Sequence, residues 1–220
     1  MENIKNRNII IGIVVLVLVG GAMVWYAWNK TDDPAHYEIP GAPQEVVNTP
    51  QRLEFTYYGG LEGYTLLEST EDTNLGDPLL VKAYTIVDTE RYMETETTEG
   101  IGDRIPAITI LVFDAATSTE ATSTATGTAT STDTEPKTLL RDFAESHSGY
   151  TAYGLRTGDA EDVRLDNIGA IRFTSTGPFA SETYVVEHRN KYYVIIGQYE
   201  SEESEERRAF QKLLTQIYFL

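Results

Sequence analysis

The sequence predicts an α+β fold: an antiparallel sheet of about six to seven strands with two packed helices, preceded by one transmembrane helix. Three observations carry this reading. Residues Ile9 to Trp28 (IIIGIVVLVLVGGAMVWYAW) contain no charge. Downstream, short alternating or apolar runs recur between turn residues, the pattern of hairpin-linked strands. Two amphipathic stretches interrupt them, one in mid-chain and one near the end, which suits helices packed on one face of a sheet or at its ends.

The apolar run comes first. At about 1.5 Å per helical residue, twenty residues span roughly 30 Å, the hydrocarbon thickness of a bilayer. Lys5 and Arg7 precede it, whereas Lys30 is followed at once by Asp32 and Asp33. The positive-inside rule therefore places the N-terminus in the cytoplasm. Trp25, Tyr26 and Trp28 would anchor in the outer interface. Their bulk, and the length of the run, favour an uncleaved signal anchor over a cleaved leader. The expected organisation is a cytoplasmic N-terminus (1–8), a signal anchor (9–28), a Pro-rich linker (29–51) and an extracytoplasmic domain (52–220). Pro34, Pro40, Pro43 and Pro50 define the linker. The expected location is the cell membrane, single-pass, with the domain extracellular or periplasmic.

Within the domain, Leu53 to Tyr57 alternates as a strand and Gly59-Gly60 marks a turn. Tyr64 to Leu67 reads as a second strand and Leu79 to Val87 as a third, with turn chemistry from Thr70 to Pro78 between them. Ile105 to Phe113 is apolar throughout and reads as a central strand. The composition then changes: twelve of the eighteen residues from Thr117 to Thr134 are Ser or Thr, and none is a large apolar residue. Such a run buries too little surface to offset its ordering entropy, so 115–137 is expected to be a disordered loop. Glycosylation of that loop is the alternative. Thr138 to Ser146 follows as an amphipathic helix, with Leu139, Leu140, Phe143, Ala144 and His147 on one face and Gly149 as its stop. Residues 157–167 read as an acidic loop and Gly169 to Thr174 as a strand. Glu182 to His188 and Lys191 to Tyr199 form a hairpin about Arg189-Asn190. The final helix is expected to be capped by Ser201 and loaded with Glu202, Glu203, Glu205 and Glu206 at its start. Phe210, Leu213, Leu214 and Ile217 face the core. Tyr218 to Leu220 adds a short strand or tail.

Composition removes several function classes. Asp+Glu total 34 against 17 Lys+Arg, a net charge of −17, so a nucleic-acid backbone is not the expected partner. The absence of cysteine excludes disulfides, thiolate metal sites, iron–sulfur clusters and thiol nucleophiles. Neither a G-x-S-x-G elbow nor a phosphate-binding glycine loop occurs. The three histidines read as a linker residue (His36), a helix-end residue (His147, beside Ser146 and Ser148) and an exposed residue beside a hairpin turn (His188). Asp72, Asn74 and Asp77 form one acidic loop cluster, and Asp159, Glu161, Asp162 and Asp166 another. Both are read as solvated charge, because neither follows the order of a calcium loop. Tyr184, Tyr192, Tyr193 and Tyr199 are read as cross-strand packing, with an exposed contact row as the alternative. No catalytic, cofactor-binding or metal-binding residue is assigned, and no cofactor is expected.

The layout resembles the PsbP/Mog1-like α/β domain, a family that includes bacterial membrane-anchored proteins. The resemblance rests on GYTLL (63–67), on ITILVF (108–113) leading to LLRDFAESHS (139–148), and on GAIRFT (169–174). It rests above all on the hairpin TYVVEHRNKYYVIIGQY (183–199) followed by FQKLLTQIYF (210–219). It covers most of 53–220. GYTLLESTEDTN (63–74) lacks the Tyr-Pro and Trp that family members often carry there. The resemblance implies an antiparallel sheet with flanking helices and a role in binding or in stabilising larger assemblies, with no shared catalytic centre. The expected function is therefore a non-catalytic, membrane-anchored binding or accessory module for an envelope or membrane assembly. A carboxylate-dependent extracytoplasmic hydrolase and a structural surface protein with a glycosylated loop are the alternatives.

Overall fold

Apolar residues at every second position bury one face of a strand, and where they are continuous they bury both. The computed structural model describes residues 38–69, 76–96, 105–115 and 136–220, and there this patterning builds a ten-stranded sheet. The strands are β1 (Ala42–Asn48), β2 (Leu53–Gly59), β3 (Tyr64–Glu68), β4 (Leu80–Asp88), β5 (Ala107–Asp114), β6 (Glu161–Leu165), β7 (Ile168–Ser175), β8 (Ala180–His188), β9 (Lys191–Tyr199) and β10 (Ile217–Phe219). Their order across the sheet is β1-β2-β3-β4-β5-β9-β8-β7-β6, with β10 beside β2. Every pairing is antiparallel except β2 with β3, which meet in parallel only at Gly59 and Tyr64.

The sheet is central and covered on two faces. Strand β5, between β4 and β9, splits its side chains between them: Ile108, Ile110 and Val112 enter one core, Leu111 and Phe113 the other. Helix α2 (Pro136–Ser146) lays Leu140, Phe143 and Ala144 on the second core, followed by the short α3 (Ser148–Thr151) and a 3₁₀ turn at Tyr153–Leu155. Helix α4 (Glu205–Leu214) presses Ala209, Phe210 and Leu213 on the first core, and β10 completes that layer with Ile217 and Phe219. A further helix, α1 (Thr89–Glu96), follows β4 directly.

Several expectations change. The sheet has two edge strands beyond those read from the sequence, and the short strand read at 218–220 lies at Ile217–Phe219 as β10. Strand β1 lies inside the segment read as linker. Its residues are mostly exposed because it is an edge, so no alternation marks it. The acidic segment 157–167 contains β6, the opposite edge, whose charges point to solvent. It turns into β7 at Asp166 (φ 46) and Asn167 (φ 62), the left-handed pair that a two-residue hairpin needs. Arg189 (φ 48) and Asn190 (φ 64) make the same turn in the β8–β9 hairpin, as the sequence predicts there. Helix α4 is capped by Ser204 and not Ser201. It ends before Ile217, which pairs with Phe55 instead. Helix α1 was not foreseen, since six of its eight residues are polar or charged. The expected transmembrane segment 9–28 and the Ser/Thr-rich run 116–135 lie outside the described residues. Among the described residues no helix is long and apolar enough to cross a membrane.

The tip of the β1–β2 hairpin is tied to the rest of the sheet by two tyrosines. Asn48 Nδ2 donates to the Tyr84 hydroxyl at 2.6 Å, and the Tyr193 hydroxyl donates to the Gln51 carbonyl at 2.9 Å. Helix α4 and β9 pack closely. A Cβ built on Gly197 would stand 2.2 Å from Cγ of Phe210, so the ring lies directly on the glycine. Gly197→Ala is expected to destabilise the domain by about 1–3 kcal/mol, the cost of overpacking a filled core, read as a lower urea midpoint. Gly169, with nothing within 4 Å of its Cβ position, is the control: Gly169→Ala is expected to leave the midpoint nearly unchanged.

Candidate functional site

His147 follows the last residue of α2. Its ring stacks on Phe143 at 4.2 Å and meets the edge of Phe113 at 5.3 Å. The structure brings Ser146 and Asp77 to it: Ser146 Oγ lies 3.0 Å from Nδ1, and Asp77 Oδ2 lies 3.6 Å from Nε2. These are the residue types of a serine hydrolase, but the protons are arranged the other way. Nδ1 is also 3.0 Å from the Phe143 carbonyl, which can only accept, so Nδ1 carries the hydrogen. The Ser146 hydroxyl donates to the same carbonyl at 2.9 Å. The ring nitrogen beside the serine therefore has no lone pair with which to take its proton, and the other ring nitrogen faces the Asp77 carboxylate. The cluster packs a helix end and pins the turn before β4.

His188 is not the exposed residue that its place beside a turn suggests. Phe219 of β10 covers it at 6.3 Å, and its Nε2 is buried with no hydrogen-bond partner. His36 lies outside the described residues. The hairpin tyrosines form no exposed row: Tyr193 and Tyr199 are buried, and the half-buried Tyr192 stacks on Phe143 at 4.0 Å.

Most described acids of the two predicted loop clusters are committed elsewhere. Asp162 pairs with Arg141, Glu161 with Arg172, and Asp166 Oδ2 accepts from the Phe219 backbone N–H at 3.0 Å. Asp77 Oδ1 accepts from the Leu79 N–H at 2.8 Å. Asp72 and Asn74 lie outside the described residues. Among the described residues no group of three or more His, Asp or Glu is placed to hold a metal ion.

One ionic chain runs through the sheet face under α4. Glu182, only 4 % exposed, accepts from Arg207 at 2.7 Å and from the Tyr184 hydroxyl at 2.9 Å, and lies 3.6 Å from Arg172. Burial, with Glu182 beside it, pushes the Tyr184 hydroxyl up to about 12. Arg207 continues the chain to the exposed Glu202 and lies over the Tyr199 ring, 4.4 Å from its centroid. This chain is internally neutralised and fixes α4 on the sheet.

A further cluster of carboxylates gathers at one place. The turn after β2, the end of β4, α1 and the start of α4 converge around an open groove of about 740 Å³. Glu62, Asp88, Glu90, Glu94 and Glu205 line it with Pro40, Leu61 and Met93, and no basic side chain does. Leu61 is 78 % and Met93 53 % exposed, so two large apolar side chains stand among the carboxylates. The positions follow from local structure. Asp88 caps α1, its Oδ1 accepting from the Arg91 N–H at 2.8 Å, which aligns Glu90, Met93 and Glu94 along one helix face at i, i+3 and i+4. The Arg91 side chain is taken up by Glu200 at 2.8 Å and the buried Glu206 at 3.2 Å. Burial works against its charge, but Glu200, Glu206 and Asp88 outweigh it and hold the guanidinium above its usual range. Burial, then Glu206, Asp88 and Glu205, push the nearby Tyr64 hydroxyl well up. The sequence reading missed this groove, because its acids come from three separate segments of a chain with 34.

No family model matches the sequence. No curated protein matches it either. Among solved structures, the chain is similar to the solution structure of cyanobacterial PsbP (CyanoP) from Synechocystis sp. PCC 6803, at 14 % identity and a TM-score of 0.46. That match covers 84 % of this chain and 96 % of the other. A crystal structure from Bacteroides thetaiotaomicron VPI-5482 is similar at 9 % identity and a TM-score of 0.38, covering 80 % of this chain and 48 % of that one. The layout of the sequence resembles the PsbP/Mog1-like family, and a PsbP is among the similar structures. Both similarities concern the arrangement of strands and helices.

Removing one partner of a buried ion pair costs far more than removing an exposed one. Arg207→Ala is expected to destabilise the domain by about 3 kcal/mol by leaving Glu182 under-compensated. Glu202→Gln, at a side chain 70 % exposed, is expected to cost less than about 1 kcal/mol in the same urea titration.

Proposed function

We propose that this chain is a non-catalytic binding module, held at a membrane by Ile9 to Trp28, which receives a cationic and partly apolar segment of an envelope protein in the acidic groove. The observation that carries the reading is the composition of that groove: five carboxylates, no base, and Leu61 and Met93 exposed among them. Five carboxylates on one low-dielectric wall attract Lys and Arg at long range and orient the encounter. The two apolar side chains supply the contact area that charge alone does not. The uncharged run Ile9 to Trp28 and the basic residues before it support an N-terminus in the cytoplasm and the domain outside it.

Crosslinking the intact protein in its native membrane is expected to recover one basic-segment partner in near-equal amount. The double variant Glu62→Lys, Glu90→Lys is expected to lower that recovery about tenfold or more. Equal recovery by the variant, or recovery of the protein alone, would overturn the reading. The side of the membrane is a separate measurement. The chain has no cysteine, so Asp159→Cys creates a single thiol in an exposed loop. A maleimide that cannot cross the cytoplasmic membrane is expected to label it in spheroplasts; labelling only after their lysis would place the domain inside.

A further inference from the structure

The last strand is held by contacts that converge on one imidazole. Strand β10 pairs with β2 through Ile217–Phe55, Tyr218–Glu54 and Phe219–Leu53. The Leu220 N–H donates to the Arg52 carbonyl at 2.9 Å, and the Phe219 N–H donates to Asp166 Oδ2 at 3.0 Å. Phe219 then packs between Tyr193 at 4.8 Å and His188 at 6.3 Å. The His188 Nε2 is buried there with no hydrogen-bond partner. A proton added there makes it a buried donor on a ring now bearing charge, which is costlier to bury than the neutral ring.

We propose that His188 makes the docking of β10 sensitive to pH: with a neutral ring the strand lies closed against β2, and protonation at Nε2 releases it. The groups that face the ring decide the sign. Arg189 from the β8–β9 turn and Arg52 from the β1–β2 turn oppose a charged imidazole. Lys191, opposite His188 on β9, adds a third cation on the same face, paired to Asp114 of β5. Asp166 from the β6–β7 turn and a hydrogen bond with the Leu220 backbone favour the charged ring. Asp166 Oδ2 already accepts from the Phe219 N–H at 3.0 Å, so the same carboxylate serves both the strand and the ring. Burial, with Arg189 and Arg52, outweighs these and holds the imidazole below its ordinary value of 6.5. A depressed value in the docked state means that docking is undiminished above pH 6.5 and is lost as pH falls through the docked value.

Hydrogen exchange on the full-length protein in detergent micelles, at pH 7.5 and 5.0 and corrected for intrinsic rates, tests this. Protection of Ile217 to Leu220 is expected to fall at low pH, while Val194 and Ile195 in β9 stay protected. The opening constant should rise up to about tenfold for each unit between the released and docked values. His188→Phe keeps an aromatic ring against Phe219 without a titrating group and should abolish the change. PH-independent protection in the wild type, or the same fall in His188→Phe, would overturn the proposal. Should that variant fail to fold, NMR titration of the wild-type His188 ring decides: a value at or above the ordinary one would overturn it, and a depressed one would support it.

Discussion

The contact between Phe210 and Gly197 governs how this domain assembles. It sets the depth of α4 on the sheet, and depth sets everything that α4 carries. At this height Arg207 reaches Glu182 on one side, and the buried Glu206 reaches Arg91 on the other. The same helix closes the core with Leu213 and delivers the chain to Ile217, where β10 begins. A side chain in place of Gly197 would lift the helix, and both ion pairs and the strand that follows would lose their register together.

The distribution of charge has a simple logic. The buried carboxylates, Glu182 and Glu206, each face at least one arginine, as desolvation requires. The surface strands β6 and β7 exchange Glu161 with Arg172 across the sheet. Five more carboxylates line the groove around α1, a helix with little apolar surface to bury. A segment so polar owes its helical state to the Asp88 cap and to Arg91, which ties it to Glu200 and Glu206. The groove and the anchoring of α1 are therefore one structure, seen from two sides.

The elements legible in the sequence were those that bury a face. The β8–β9 hairpin, the central β5, and the apolar faces of α2 and α4 show their periodicity because core packing imposes it. Strands β1 and β6 were hidden because an edge strand has no such obligation, and β1 carries Pro43 besides. The turn at Asp166-Asn167 had a legible signal, two residues that tolerate the left-handed region, but its acidic surroundings read as loop. His188 was misjudged because the strand that covers it arrives from the far end of the chain. The groove was illegible for the same reason: Glu62, Asp88 and Glu205 are neighbours only once β2, β4 and α4 have met.

The pairing of β10 with β2 has a consequence for how the chain comes off the ribosome. Strand β2 is among the first elements made, and its partner Ile217–Phe219 is the last described one. Until that strand emerges, Leu53 and Phe55 have no cover from it, and the sheet face that α4 will occupy stays open. Vectorial synthesis therefore leaves the early half waiting, with its apolar side chains available to any other chain nearby. Until α4 and β10 are made, a nascent chain of this topology exposes the apolar face that they will cover.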